Sequence, residues 1–174
     1  MTPVSFDLGD PARWRDTLPA RQPASSEAAA GAVSGITAGL LAWGVATAFL
    51  PGESGALHTL RLVAATLFGK AALEPENVGI PVLAGAMLAG FASVTYGLVF
   101  VSILRPAAPL GRAIAVGAIY GAVLYVPAWQ GFVHLFDPLL YEAGVGRWPM
   151  VLALHVLYGA ALGFQVPFLR KVLP

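Results

Sequence analysis

The chain contains no cysteine. That excludes disulfide staples, thiolate nucleophiles, iron–sulfur ligation and thioether haem attachment, and it leaves the redox compartment open. Charge is scarce too, at 11% of residues, where an average soluble domain carries roughly 25%. The net charge of +1 supplies no basic field for a nucleic-acid partner. No acidic residue falls inside a long apolar run, which weakens any proton- or sodium-coupled mechanism. No phosphate-binding glycine loop, dinucleotide fingerprint or hydrolase triad is present. The chain reads as a non-enzyme, and nothing in it asks for a cofactor.

What is present is apolar surface. Hydrophobic residues make up 57% of 174 positions, and the mean hydropathy is +0.75. A soluble domain of this size cannot bury so much. Four runs reach the roughly 20 residues needed to cross a bilayer. They lie at about 28–50, 80–104, 113–136 and 150–169, so the expected fold is an all-α, polytopic bundle of four transmembrane helices. Residues 1–27 form a polar tail rich in Pro and Arg, with Trp14 as a possible headgroup or partner contact. The first apolar run starts late and is long, which reads as an uncleaved anchor and not as a signal peptide.

Basic residues set the topology. Arg13, Arg15, Arg21, Arg105, Arg112, Arg170 and Lys171 share one side, against Arg61, Lys70 and Arg147 on the other. Both termini are therefore expected in the cytoplasm. The short connection with Pro106 and Pro109 turns the second and third spans into an antiparallel hairpin. Residues 55–73 carry Leu57, Leu60, Ala64, Leu67 and Ala71 at helical spacing. They predict an amphipathic helix in the outer interface or tucked into the bundle. Arg61, Lys70, Arg147 and Trp148 are the candidates for contact with lipid headgroups or a partner.

Small residues recur every four positions in each span: Gly31, Gly35, Gly39; Gly85, Ala89, Ser93, Gly97; Ala113, Gly117, Gly121; and His155, Gly159, Gly163. In lipid, close backbone approach through such residues is a main source of helix association. The first stripe suits either another protein or its own bundle. Aromatic–glycine pairs mark every span: Trp43-Gly44, Tyr96-Gly97, Tyr120-Gly121 and Tyr158-Gly159.

Polar groups inside the spans are few, and each is a candidate: His134, His155, Gln130 and Gln165. His155 shares the packing seam and expects a carbonyl, Tyr hydroxyl or carboxylate partner. His58, His134 and His155 all fall toward the outer face, but no two histidines sit four residues apart on one helix. They are weak metal or haem candidates, and the expected metal set is none. Pro127 should kink the third span and free the Val123 carbonyl.

The stretches "RLVAATLFGKAAL", "VTYGLVF", "YGAVLYVPAWQGFVHLF", an "RW" pair and "HVLYGAALGF" resemble a family of small, uncharacterised bacterial four-helix membrane proteins often loosely labelled sodium:proline symporters. The likeness covers roughly residues 28–171. Its counterparts are Arg61, Gly69, Lys70, Tyr96, Gly97, Gly131, Arg147, Trp148, His155 and Gly159. The family's second span often carries a histidine where this chain has Ala89. The resemblance implies the four-helix architecture and a bacterial cytoplasmic membrane. It implies no activity, because four spans cannot form the sodium–solute symporter fold. The leading expectation is an accessory or structural subunit of a larger membrane complex, an energy-converting one among the options, with lipid and other subunits or further copies as partners. A small oligomeric transport protein using the Pro127 kink is the alternative. An outer-face histidine protein for metal or haem is the third.

Overall fold

The computed structural model describes residues 24–49, 55–76, 78–105 and 108–173. The tail to residue 23, with Trp14 and three of the arginines counted for topology, lies outside the described residues. Every regular element among those described is helical. In chain order they are α1 (Ala24–Phe49), α2 (Gly55–Phe68), α3 (Gly79–Ile103), α4 (Leu110–Phe136), α5 (Pro138–Val145) and α6 (Trp148–Val172). Four of them, α1, α3, α4 and α6, are long and apolar enough to cross a membrane. Between 17% and 33% of their most apolar stretches is buried. Ile80 and Phe91 are each 74% exposed. Water-soluble monomers seldom leave apolar patches above a few hundred Å², so this surface suits hydrocarbon.

The long helices pack as two antiparallel pairs, α1 with α3 and α4 with α6, joined along α1 and α6. Each pair closes on glycine. Along α1–α3, a Cβ at Gly35 would strike the Ser93 carbonyl, and one at Gly97 would strike the Gly31 carbonyl. Along α4–α6, the contacts run Ala113 to Gly163, Gly117 to Gly159 and Gly121 to His155, all backbone against backbone. The hairpin neighbours α3 and α4 meet instead through long side chains. The rings of Phe100 and Tyr120 lie 5.3 Å apart, and the Tyr120 hydroxyl donates to the Tyr96 carbonyl at 2.8 Å. Ala38, Phe100, Leu104, Leu162 and Val166 fill the core between the pairs.

The stripe on α3 does not stay on one face. Steps of four advance about 40° around a 3.6-residue helix, so it winds from one neighbour to the next. Gly85 meets the Leu60 carbonyl of α2, whereas Ser93 and Gly97 meet α1.

Helix α2 stops at Gly69, whose φ of +57° is the left-handed conformation that glycine tolerates. A 3₁₀ turn, Gly69–Leu73, follows. Arg61 reaches back to this turn. Its Nε donates to the Ala72 carbonyl at 2.8 Å and its Nη2 to the Glu74 carbonyl at 2.6 Å. This guanidinium, a headgroup or partner candidate from the sequence, satisfies carbonyls just past a helix end.

Pro127 produces a change of pitch. Val126–Val133 form a π-helical stretch within α4. The His134 N–H donates to the Trp129 carbonyl five residues back, the π spacing. The Val123 carbonyl, expected to be free, accepts from the Val126 N–H. A tightened turn before the proline takes up the bond that the proline cannot make. The wider turn sets Trp129 against Gly144 of α5, where a Cβ would strike the indole.

Asp137 opens α5. It is 1% exposed, its Oδ1 accepts from the Leu140 N–H at 3.1 Å, and its Oδ2 accepts from the Thr66 hydroxyl of α2 at 2.7 Å. Asp before Pro138 is an N-cap followed by a proline in the first turn. We expect Asp137→Ala to cost about 2 kcal/mol, one cap plus one buried hydrogen bond. Asp137→Asn should recover at least half of it, measured by thermal unfolding in detergent.

Candidate functional site

All four spans meet around one cavity of about 230 Å³. Helix α1 contributes Ala42, Trp43 and Ala46, α3 contributes Ser93 and Tyr96, α4 contributes Leu124, and α6 contributes His155 and Tyr158. The wall is mainly apolar, and no charged side chain lines it. The Tyr158 hydroxyl donates to the Ser93 carbonyl at 2.8 Å, which carries α6 across to α3. His155 Nδ1 lies 2.8 Å from the Val151 carbonyl one turn back. A carbonyl only accepts, so Nδ1 carries the hydrogen, and the neutral ring keeps its lone pair on Nε2. The Tyr125 ring meets the imidazole edge-on at 5.6 Å. The Trp43 Nε1 is buried without a hydrogen-bond partner among the described residues.

A second cavity of about 250 Å³ adjoins the first across Trp43. Its small residues are Gly39, Ala86, Ala89, Gly90 and Ser93, with Ile36, Leu40 and Leu60 at the sides. A Cβ at Gly90 would meet nothing within 4 Å. A third cavity of about 340 Å³ lies at the α3–α4 connection, with Arg105 and Arg112 among its walls.

The other sequence candidates are placed as follows. Gly31, Gly35, Gly97, Gly117, Gly121, Gly159 and Gly163 sit at backbone contacts between spans, and Gly39 sits against the Ser93 side chain. The α1 stripe thus faces this chain's own α3. Gln130 is held at both ends, donating to the Tyr125 hydroxyl at 2.8 Å and accepting from the Tyr141 hydroxyl at 3.2 Å. Neither it nor Pro127 lines any of the three cavities. Gln165 meets the Thr37 hydroxyl and ties α6 to α1. The exposed His134 stacks on Tyr141 at 4.3 Å. His58 is half-buried on α2. No group of three His, Cys, Asp or Glu able to hold a metal forms among the described residues. Lys70, Arg147 and Trp148 are exposed.

Two features escaped the sequence reading. The first is Trp43, noticed there only as one of four aromatic–glycine pairs. The second is a buried ion pair at the bundle's end. Arg170 donates through Nη2 to Glu27 Oε2 at 2.7 Å, and to the carbonyls of Val101 and Leu104 at 2.9 and 3.1 Å. The sequence presents these residues as a tail cation and a tail anion. The available signal is that each lies within one turn of a span end on the same expected side.

Comparison with protein-family models, with curated proteins and with solved structures finds no match to this chain.

Proposed function

We propose that this chain is a non-enzymatic, multi-pass membrane protein that serves as an accessory subunit of a larger membrane assembly. In this reading both termini face the cytoplasm of a bacterium, α2 lies toward the outer interface, and Arg105 and Arg112 meet anionic headgroups. One observation carries the proposal. Helix α3 spends Gly97 on α1 and Gly85 on α2, yet Gly90, with Ala86 and Ala89, floors an open groove. Small residues let backbones approach in lipid. A transmembrane helix of another subunit would complete at Gly90 the kind of seam that the chain builds internally. A small transport protein using the Pro127 kink is the second reading; Gln130 beside that kink is bonded to Tyr125 and Tyr141 and lines none of the three cavities.

Gly90→Leu tests this. The variant should fold with a thermal midpoint at or above that of the wild-type chain, because the position is open within the chain. It should also leave the assembly, so that the 18.0 kDa chain migrates alone in mild detergent while the wild type migrates with its partner. A Gly90→Leu chain that stays associated, or that unfolds, would count against a partner at this groove.

A further inference from the structure

Charge is unevenly divided between the two ends of the bundle. At the end that holds Arg61, Lys70 and Arg147, the described residues also hold Glu74, Glu76, Asp137 and Glu142. At the other end stand Arg105, Arg112, Arg170 and Lys171, with Glu27 as the one carboxylate among the described residues. Glu27 is already bonded to Arg170. Arg105 and Arg112 are both exposed, form no ion pair among the described residues, and line the same cavity of about 340 Å³.

Arg112 is also placed against a local rule. It lies in the first turn of α4, which holds no acidic residue and no capping side chain. That turn is the positive end of the helix, where an anion is favoured and a cation is not. The described residues supply no offset, and an anion bound at the cavity would supply one.

The wall narrows which anion. Val116 stands one turn deeper than Arg112 on α4, and Ile103, 57% exposed, lies at the end of α3 just before Arg105. Cations at the end of the bundle with apolar side chains toward the spans match the order of a phospholipid, phosphate outermost and acyl chain inward. A free phosphate would leave the apolar wall bare. A zwitterionic lipid brings its own cation and would leave the arginines unbalanced. The volume falls within the range of about 300–1,000 Å³ usual for ligand sites.

We infer that this cavity seats one anionic phospholipid, its phosphate held by Arg105 and Arg112 and the start of an acyl chain lying along Ile103 and Val116. Arginine suits this role, because its planar fork presents several donors to phosphate oxygens. The inference rests on the reading above that these arginines meet headgroups, and it names the lipid class and the seat. It does not depend on the partner groove at Gly90.

The test titrates the full chain in a nonionic detergent with phosphatidylglycerol, read by native mass spectrometry. Saturable binding of one lipid per chain is expected, about tenfold tighter than phosphatidylcholine. Glycerol phosphate at the same concentration should leave no adduct. Arg105→Gln and Arg112→Gln should each weaken the lipid about fivefold, the worth of one basic residue near an anionic surface. Lys171→Gln removes the same charge from the same end but outside the cavity, and should leave the affinity unchanged, as should Gly90→Leu. In lipid-free detergent Arg112→Gln should unfold at or above the wild-type midpoint, since the first turn of α4 loses its cation. Equal binding of the two lipids, or wild-type affinity in both arginine variants, would overturn the inference. So would an equal loss in Lys171→Gln, or glycerol phosphate binding as tightly as the lipid. Failure of the membrane reading itself is seen separately, as release of the chain from its own membranes by alkaline carbonate.

Discussion

Replacing Gly159 with alanine is expected to destabilise the bundle by about 2 kcal/mol or more, and replacing it with leucine to leave no folded protein. The added Cβ would land on the Gly117 carbonyl oxygen and lie 2.7 Å from the Gly121 nitrogen. Both are backbone atoms of α4 and cannot rotate away. The helices must separate, and the contacts at Gly163 and Gly121 separate with them. Alanine favours an isolated helix over glycine by about 1 kcal/mol, so the measured loss is the clash minus that gain. The same gain supplies a control of opposite sign. Gly44 of α1 has nothing within 4 Å of its would-be Cβ. Gly44→Ala should therefore be neutral or stabilising by up to about 1 kcal/mol. Unfolding in mixed detergent micelles would show the contrast. Equal midpoints for Gly159→Ala and Gly44→Ala would mean that the seams do not hold the fold.

Arg170→Ala should cost about 3 kcal/mol, near the lower end for breaking a buried ion pair by removing one partner. The guanidinium is 6% exposed and the Glu27 side chain 25% exposed. One side chain thereby joins the start of α1, the end of α3 and the end of α6. Without it, Glu27 loses its guanidinium partner in a partly buried place, and the Val101 and Leu104 carbonyls lose a donor. Glu27→Gln should cost less, about 1 kcal/mol, since an amide oxygen still accepts. Arg170→Lys should recover only part of the loss, because an ammonium lacks the planar fork that reaches carboxylate and carbonyls together. These differences are read as unfolding midpoints, and an unchanged midpoint in Arg170→Ala would remove the clamp from the account.

Much of the architecture follows from long-range regularity in the sequence. Length and hydropathy mark the four helices, and four-residue spacing marks the glycines that close α1 on α3 and α4 on α6. Spacing does not name a neighbour. The stripe from Gly85 to Gly97 winds over two partners and leaves Ala89 facing a groove, which only the crossing of α1, α2 and α3 determines. Arg61, Asp137 and Arg170 show the same limit. Charges near span ends are read as facing water or headgroups, yet Asp137 and Arg170 are drawn inward by Thr66 and by Glu27, Val101 and Leu104, far away in the sequence, and Arg61 is held by carbonyls in the turn that follows its own helix. Asp137 was the most legible, since Asp-Pro before a helix is a local signal. Trp43 was the least, because its surroundings come from all four spans.

The most direct measurement of the central proposal is the native mass of the tagged chain extracted from its own membranes in mild detergent, with every co-migrating protein quantified. The proposal predicts a particle much larger than one chain, with this subunit in fixed ratio to at least one other membrane protein. A homogeneous particle containing this chain alone would contradict it.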